Sequence, residues 1–294
     1  MTTENALLTW EVFVSPVQLI VEDDLPPGEQ QRYWPPISAT LISGERDALL
    51  VDPLMTIAQA HVLAGWVAAS GKHLTAVYVT HGHGDHFLGL GPILERFPDA
   101  RAVAAPAVVE QMTQQAASGI LSSYYEKRLP RQVPDAGIVI PDRLDGDSFE
   151  LEGHELVVVD AGHTDTDGTT CLHVPELGLI VAGDVAYNDV HLHLGEGDEH
   201  ARPAWIKALD TIEALEPKVV IAGHKRPERP DNPTIIEETR QYIRDFDRTA
   251  NATASAEHLY AQMLSCYPDR LNRGALWSAA QAAKPTPVSS PPSV

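Results

Sequence analysis

A mixed α/β fold, with sheets covered by outer helices, is the architecture this sequence predicts. Short apolar strand-like runs alternate with stretches of helical apolar spacing. Hydrophobic residues make up 44% of the 294 positions, enough for a sizeable core. Candidate metal-ligating residues recur from position 81 to 224, so the body does not divide inside that interval.

Taken in order, Leu8 to Val21 is rich in Val, Leu, Phe and Trp and reads as strand. Asp23 to Pro36 carries four prolines with Tyr33 and Trp34 and reads as a loop. Ser38 to Ile42 and Ala48 to Val51 flank the turn Ser43-Gly44-Glu45-Arg46, a hairpin. Ile57 to Ser70 has helical apolar spacing and stops at Gly71. Leu74 to Val79 is a short buried strand running into Thr80-His81-Gly82-His83-Gly84-Asp85-His86. Phe87 to Phe97 reads as helix, Ala102 to Ala105 as strand and Ala107 to Gln115 as helix. Asp142 to Phe149 and Glu155 to Val159 read as one strand pair, Thr169 to Val174 and Leu179 to Ala182 as another. Ala201 to Leu215 is an amphipathic helix and Lys218 to Ala222 a last strand. The expected division is a catalytic domain over 1–232, a helical extension over 233–283 packing near the site mouth, and a Pro/Ser-rich disordered tail over 284–294.

Charge and composition exclude several classes of partner. With 21 basic against 41 acidic residues the formal charge is −20, which repels phosphate backbones and anionic lipid heads. Nucleic acid and membrane are therefore not expected partners, and a small-molecule substrate is. No apolar run reaches the ~18 residues of a membrane span, and Met1 to Trp10 lacks the pattern of a secretory signal. The expected location is the cytoplasm. Cys171 and Cys266 are too few and too far apart for a disulfide framework and read as buried, reduced thiols. The oligomeric state stays open, with a homodimer as one option.

The chemistry concentrates at His81, His83, Asp85 and His86, four potential ligands within six residues. Imidazole nitrogen with carboxylate oxygen suits zinc, and also iron, manganese or cobalt. Two histidines two apart in a segment leaving a strand can point the same way. The interleaved Gly82 and Gly84 put no side chain between them. Asp85 and His86 then open a helix, where the chain turns and can present a second pair to a second ion. A solvated His-rich loop is the competing reading, disfavoured by the strand that feeds the turn.

Thr80-His81-Gly82-His83-Gly84-Asp85-His86 resembles the H-x-H-x-D-H signature of the metallo-β-lactamase superfamily. The resemblance continues in order through Leu50-Val51-Asp52-Pro53, Ala161-Gly162-His163-Thr164, Ala182-Gly183-Asp184 and Ala222-Gly223-His224, and so covers residues 38 to 224. It implies a four-layered αββα sandwich with two divalent metals at one edge, most simply zinc, with iron or manganese as alternatives. It assigns His81, His83 and His163 to the first metal, Asp85, His86 and His224 to the second, and Asp184 to a bridge. Asp52 would support a ligand from behind. Two ions held this way favour a bridging hydroxide at neutral pH, which attacks a carbonyl carbon. Asp85 would orient that nucleophile or shuttle its proton. A bridging aspartate is what glyoxalase II enzymes, lactonases and related thioesterases show, and class B β-lactamases do not.

Asp184-Val185-Ala186-Tyr187 also resembles the D-x-x-Y of lactonases of this fold. Tyr187 is then either a donor to the developing oxyanion or a side chain that packs beside the site. His191 and His193 can border the pocket, Asp165 and Asp167 can cap a turn or support the histidines, and Tyr33, Trp34 and Trp205 can form apolar walls. Lys225, Arg226 and Arg229 can hold a substrate carboxylate or lie on a solvated loop. The basic and tyrosine set by which glyoxalase II enzymes bind glutathione has no clear counterpart here. The function expected from sequence is a dinuclear hydrolase of a lactone or thioester. A mononuclear iron persulfide dioxygenase, a phosphodiesterase and a non-catalytic metal-binding regulatory module are its competitors.

Overall fold

Strands that are apolar on both faces must be covered on both sides, and that requirement sets the layering. A computed structural model describes residues 7–134, 137–197 and 199–285. The first half runs β1 (Thr9–Val14), β2 (Gln18–Ile20), β3 (Arg32–Trp34), β4 (Ser38–Ser43), β5 (Asp47–Val51), α1 (Ile57–Ala69), β6 (His73–Val79), α2 (Leu90–Arg96), β7 (Arg101–Ala104), α3 (Pro106–Ser118) and β8 (Asp142–Arg143). The second half runs β9 (Ser148–Leu151), β10 (His154–Gly162), β11 (Thr169–Val174), β12 (Leu179–Asn188), α4 (Arg202–Glu213), β13 (Val219–Lys225), α5 (Thr234–Ala252), α6 (Ala256–Cys266) and α7 (Arg273–Ala283).

Two sheets result, ordered β1-β4-β5-β6-β7-β8 and β13-β12-β11-β10-β9. Alternation along single strands shows the four layers directly. Leu49 and Val51 join the core between the sheets, whereas Ala48 and Leu50 face α1. In the other sheet Leu179, Val181 and Ile221 face inward, while Ile180, Ala182, Val220 and Ala222 face Trp205, Leu209 and Ile243 of the outer helices. The αββα sandwich is therefore the fold, and α5, α6 and α7 share the outer core of the second sheet with α4.

Local chemistry explains the elements. Helix α1 opens with a capping box in which Thr56 Oγ1 accepts from the Gln59 N–H and the Gln59 side chain accepts from the Thr56 N–H. Helix α3 opens with Pro106 and ends at Gly119 in the left-handed region. Across the site edge the sheets are tied by Thr170, whose N–H and hydroxyl both donate to the Thr80 carbonyl at 3.0 and 2.6 Å.

Some expectations are corrected. The loop expected over Asp23–Pro36 contains β3, which pairs with β2 in a separate ribbon. The stretch Asp142–Phe149 divides, because β8 joins β7 in the first sheet while β9 pairs with β10 in the second. Asp85 and His86 lie in a 3-10 turn, Gly84–His86, before α2 begins at Leu90. Cys171 is buried, but Cys266 is exposed. Of the tail expected over 284–294, positions 286–294 lie outside the described residues. Among the described residues no helix is long and apolar enough to cross a membrane.

Candidate metal centre

Chain ends of both sheets meet at one edge. Asp52 follows β5, the turn with His81, His83, Asp85 and His86 follows β6, His163 and Asp165 follow β10, and Asp184 and His224 lie on β12 and β13. A bulge aims Asp184 at the site. Gly183 pairs with Ala222 and Tyr187 with His224, so three residues of β12 lie opposite Gly223 alone. The close approach excludes side chains at two glycines. A Cβ at Gly223 would sit 2.3 Å from Asp184 Oδ1 and 2.8 Å from His86 Cε1. Gly183 has φ +51° and faces Thr80 Oγ1 at 2.6 Å from the same built position.

Two groups of donor atoms converge, each within 4.8 Å: His81, His83, Asp165 and Asp184, and Asp85, His86 and His224. Six of the seven expected ligands are thus brought together. His163 falls outside both groups, and Asp165, expected only as a support, joins the first. Asp184 Oδ2 and Asp85 Oδ2 both lie 3.3 Å from His224 Nε2, which links the groups.

Hydrogen bonds fix the rings of His81, His86, His163 and His224 so that one nitrogen of each is left facing inward. His86 Nδ1 donates to Asp52 Oδ2 at 2.9 Å and His224 Nδ1 to the Pro36 carbonyl at 2.9 Å. Thr80 Oγ1 gives its proton to Asp52 Oδ2 at 2.8 Å and can therefore accept from His81 Nδ1 at 3.0 Å. Asp52, itself in the left-handed region at φ 58°, so serves both His81 and His86. His163 Nδ1 meets Asp167 Oδ1 at 2.6 Å. His83 is flanked by Asp165 Oδ2 at 3.1 Å on Nδ1 and Glu196 Oε1 at 3.2 Å on Nε2.

The inward atoms fit metal ions. Nε2 of His81, His86 and His163 and Oδ1 of Asp184 are buried without a hydrogen-bond partner among the described residues. Leaving such an atom unsatisfied costs about 1–3 kcal/mol, and a cation removes that cost for all of them. The field also favours a cation. Burial opposes charge on His86, yet Asp184, Asp85 and Asp52 raise it to about 9. His224 is likewise raised well above its ordinary value against burial, by Asp184 and Asp85. Burial, reinforced by His86, drives His81 well below its own. Asp184 and Asp85 are held far below the usual carboxylate range, burial being outweighed by His224 and His86.

A cavity opens over the cluster. Tyr187 is buried, and its hydroxyl donates to Asp184 Oδ2 at 2.7 Å, with Asp165 Oδ2 at 3.4 Å. Burial and these carboxylates push its phenol well above the ordinary value. Trp34 lines the cavity and donates from Nε1 to Asp85 Oδ2 at 2.9 Å. Trp205 is core, donating to the Val185 carbonyl. His191 is buried against the Tyr242 hydroxyl, whereas His193 stands at the cavity rim beside Glu196. Lys225 and Arg226 are engaged by Asp231 and Asp189, and Arg229 lies 3.5 Å from Glu238. Sequence reasoning passed over Tyr124, Tyr125, Arg32, Arg128 and Glu196, all of which line the cavity. The Tyr124-Tyr125 pair was the one visible signal, and it carries no ligand-like spacing.

Residues 32–224 match the family model of the metallo-beta-lactamase superfamily. The chain belongs to this superfamily. Within it, the chain is 31% identical over 156 residues to a hydroxyacylglutathione hydrolase of Parasynechococcus marenigrum (strain WH8102), covering 51% of each protein. It is 32% identical over 120 residues to one of Synechococcus sp. (strain CC9902), covering 40% of this chain and 37% of that protein. The chain thus spans about half the length, or less, of the curated relatives it matches. Among solved structures, a metallo-beta-lactamase family protein from Thermus thermophilus superposes with a TM-score of 0.59 at 21% identity, over 92% of this chain and 91% of that one. A metallo-beta-lactamase from Pontibacter korlensis gives 0.54 at 16% identity, over 77% of this chain and 99% of that one. At such identities the structures speak to the shared fold alone.

Proposed function

We propose that this superfamily member is a dinuclear metal-dependent hydrolase that cleaves a carbonyl ester-type bond, either a lactone or a thioester. His81, His83 and His163 would hold the first metal, Asp85, His86 and His224 the second, with Asp184 between them. Zinc suits this nitrogen and oxygen set, with iron or manganese as alternatives. The observation that carries the reading is the set of unsatisfied buried atoms, Nε2 of His81, His86 and His163 and Oδ1 of Asp184, with His86 backed by Asp52.

When bound, such ions activate water and polarise a substrate carbonyl. The chain supplies orientation around them. Asp85 can orient the nucleophile or shuttle its proton, Tyr187 braces Asp184, and the cavity wall orients the acyl group out of bulk water. Completeness of the second group favours two metals over the single iron of a dioxygenase. Relatives named hydroxyacylglutathione hydrolase favour the thioester, while the engagement of Lys225 and Arg226 leaves no carboxylate-binding role assigned to them. Residues 1–232 would form the catalytic domain, with 233–283 as the extension whose α7 walls the cavity.

The test is metal analysis beside a panel of acyl-homoserine lactones, aromatic lactones, glutathione and acyl-carrier thioesters, β-lactams and bis-p-nitrophenyl phosphate. Two metals per chain with turnover of a lactone or thioester is the expected result. One iron per chain, or two metals with no turnover across the panel, would reject this function.

A further inference from the structure

We propose that Trp34 is a positioning residue. Its indole N–H holds the Asp85 carboxylate in place for the metal centre, while its ring forms a wall of the substrate cavity. The inference rests on the reading that Asp85 belongs to that centre.

Trp34 ends β3, whose only partner among the described residues is β2, with Gln18 opposite Trp34 and Ile20 opposite Arg32. A two-stranded ribbon alone is marginal in water, so its placement depends on what ties it down. Arg32 donates to the Gly274 carbonyl of α7 at 2.8 Å and to the Ser278 hydroxyl. The Val21 N–H donates to the Arg128 carbonyl at 2.9 Å, and Gln18 Nε2 to Gln132 at 3.1 Å. The ribbon is therefore fastened to α7 and to the segment after α3.

The ring is fixed as well. It meets Tyr124 edge-on at 6.1 Å and Tyr125 at 5.7 Å. The Tyr125 hydroxyl in turn accepts from the Gly84 N–H at 2.8 Å, in the same turn that carries Asp85. Trp34 and Tyr125 thus brace that turn from the cavity side, one through the Asp85 side chain and one through the backbone.

An indole is a donor only and keeps its proton at every working pH. It therefore pairs with the ionised carboxylate and with nothing competing. Asp85 Oδ2 has a second lone-pair direction and lies 3.3 Å from His224 Nε2 and 3.8 Å from His86 Nε2, so accepting from Trp34 leaves it able to face the metal side.

Trp34→Phe keeps a ring and removes the N–H; Trp34→Ala removes both. Isosteric replacement of Trp34 by β-(3-benzothienyl)alanine removes the N–H with the volume unchanged, which covers the case in which Phe packs poorly. Each protein is loaded with zinc, checked for folding by circular dichroism, and titrated against a chelator to read zinc affinity. The Phe and benzothienyl proteins should hold the zinc beside Asp85, His86 and His224 about 10–100-fold less tightly, with kcat reduced and KM nearly unchanged. The Ala protein should raise KM in addition. Zinc held as tightly as in the wild type by the folded benzothienyl protein would overturn the role of Trp34 and leave the proposed function standing. A wild type that binds fewer than two zincs would overturn both.

Discussion

His86 and His224 are each held from behind by a buried group, whereas His81 and His163 are held through an intermediary or by an exposed side chain, with His83 on buried Asp165 the exception in that group. His86 rests on Asp52, whose side chain is 3% exposed, and His224 on a backbone carbonyl. His163 rests on Asp167, whose side chain is 90% exposed, and His81 reaches Asp52 only through Thr80. A ligand whose ring is already fixed loses less freedom when it binds. The second group should therefore be the more preorganised of the two, and the first the one that exchanges metal more readily.

Asp184 joins the two groups, so changing it erases the contrast. Asp184→Asn should lower kcat by more than about 100-fold and reduce metal content below two per chain, measured by elemental analysis. Asp52→Ala should strike both groups through different routes, costing about 10–100-fold in metal affinity by chelator competition. It also leaves the Thr80 N–H and hydroxyl without their acceptor, so urea unfolding should show a loss of about 3 kcal/mol.

Acid sharpens the same comparison. In the cation-free protein His86 is raised to about 9, so below that pH a metal must displace its proton. Metal affinity should rise about tenfold per pH unit for each proton released, and His86's share should level off above about 9. The sign reverses for the stability of the cation-free chain. Charged His86 stabilises it fully below the ordinary histidine value, and that contribution is lost as pH rises through about 9. Chelator titration and thermal melts across this range read the two opposing trends.

Smaller effects should follow farther out. Tyr187→Phe should lower kcat by about tenfold while both metals stay bound, because it removes one hydrogen bond to Asp184 and no ligand. Metal loss in that variant would give Tyr187 a larger part than bracing. Asp167→Asn should change metal affinity by no more than about fivefold, since an exposed carboxylate is screened by water.

The layering and the ligand motifs were legible because they are local. A strand followed by His81-Gly82-His83-Gly84-Asp85-His86 announces itself within six residues, and the family resemblance those motifs carry implies the sandwich. The rim was not legible. Tyr125 bonds across 41 positions to Gly84, and Trp34 across 51 to Asp85; no spacing rule encodes such pairs. The short β3 was hidden among prolines and the division of β8 from β9 depends on which sheet each joins, a tertiary matter. Lys225 and Arg226 looked free in sequence because Asp231 and Asp189 reach them only after folding.

A zinc-loaded crystal measured at the zinc absorption edge tests the central claim most directly. Two anomalous peaks, one beside His81 and His83, one beside Asp85, His86 and His224, with Asp184 touching both, are the predicted result. A single peak, or peaks bound elsewhere with Asp184 touching neither, would contradict it.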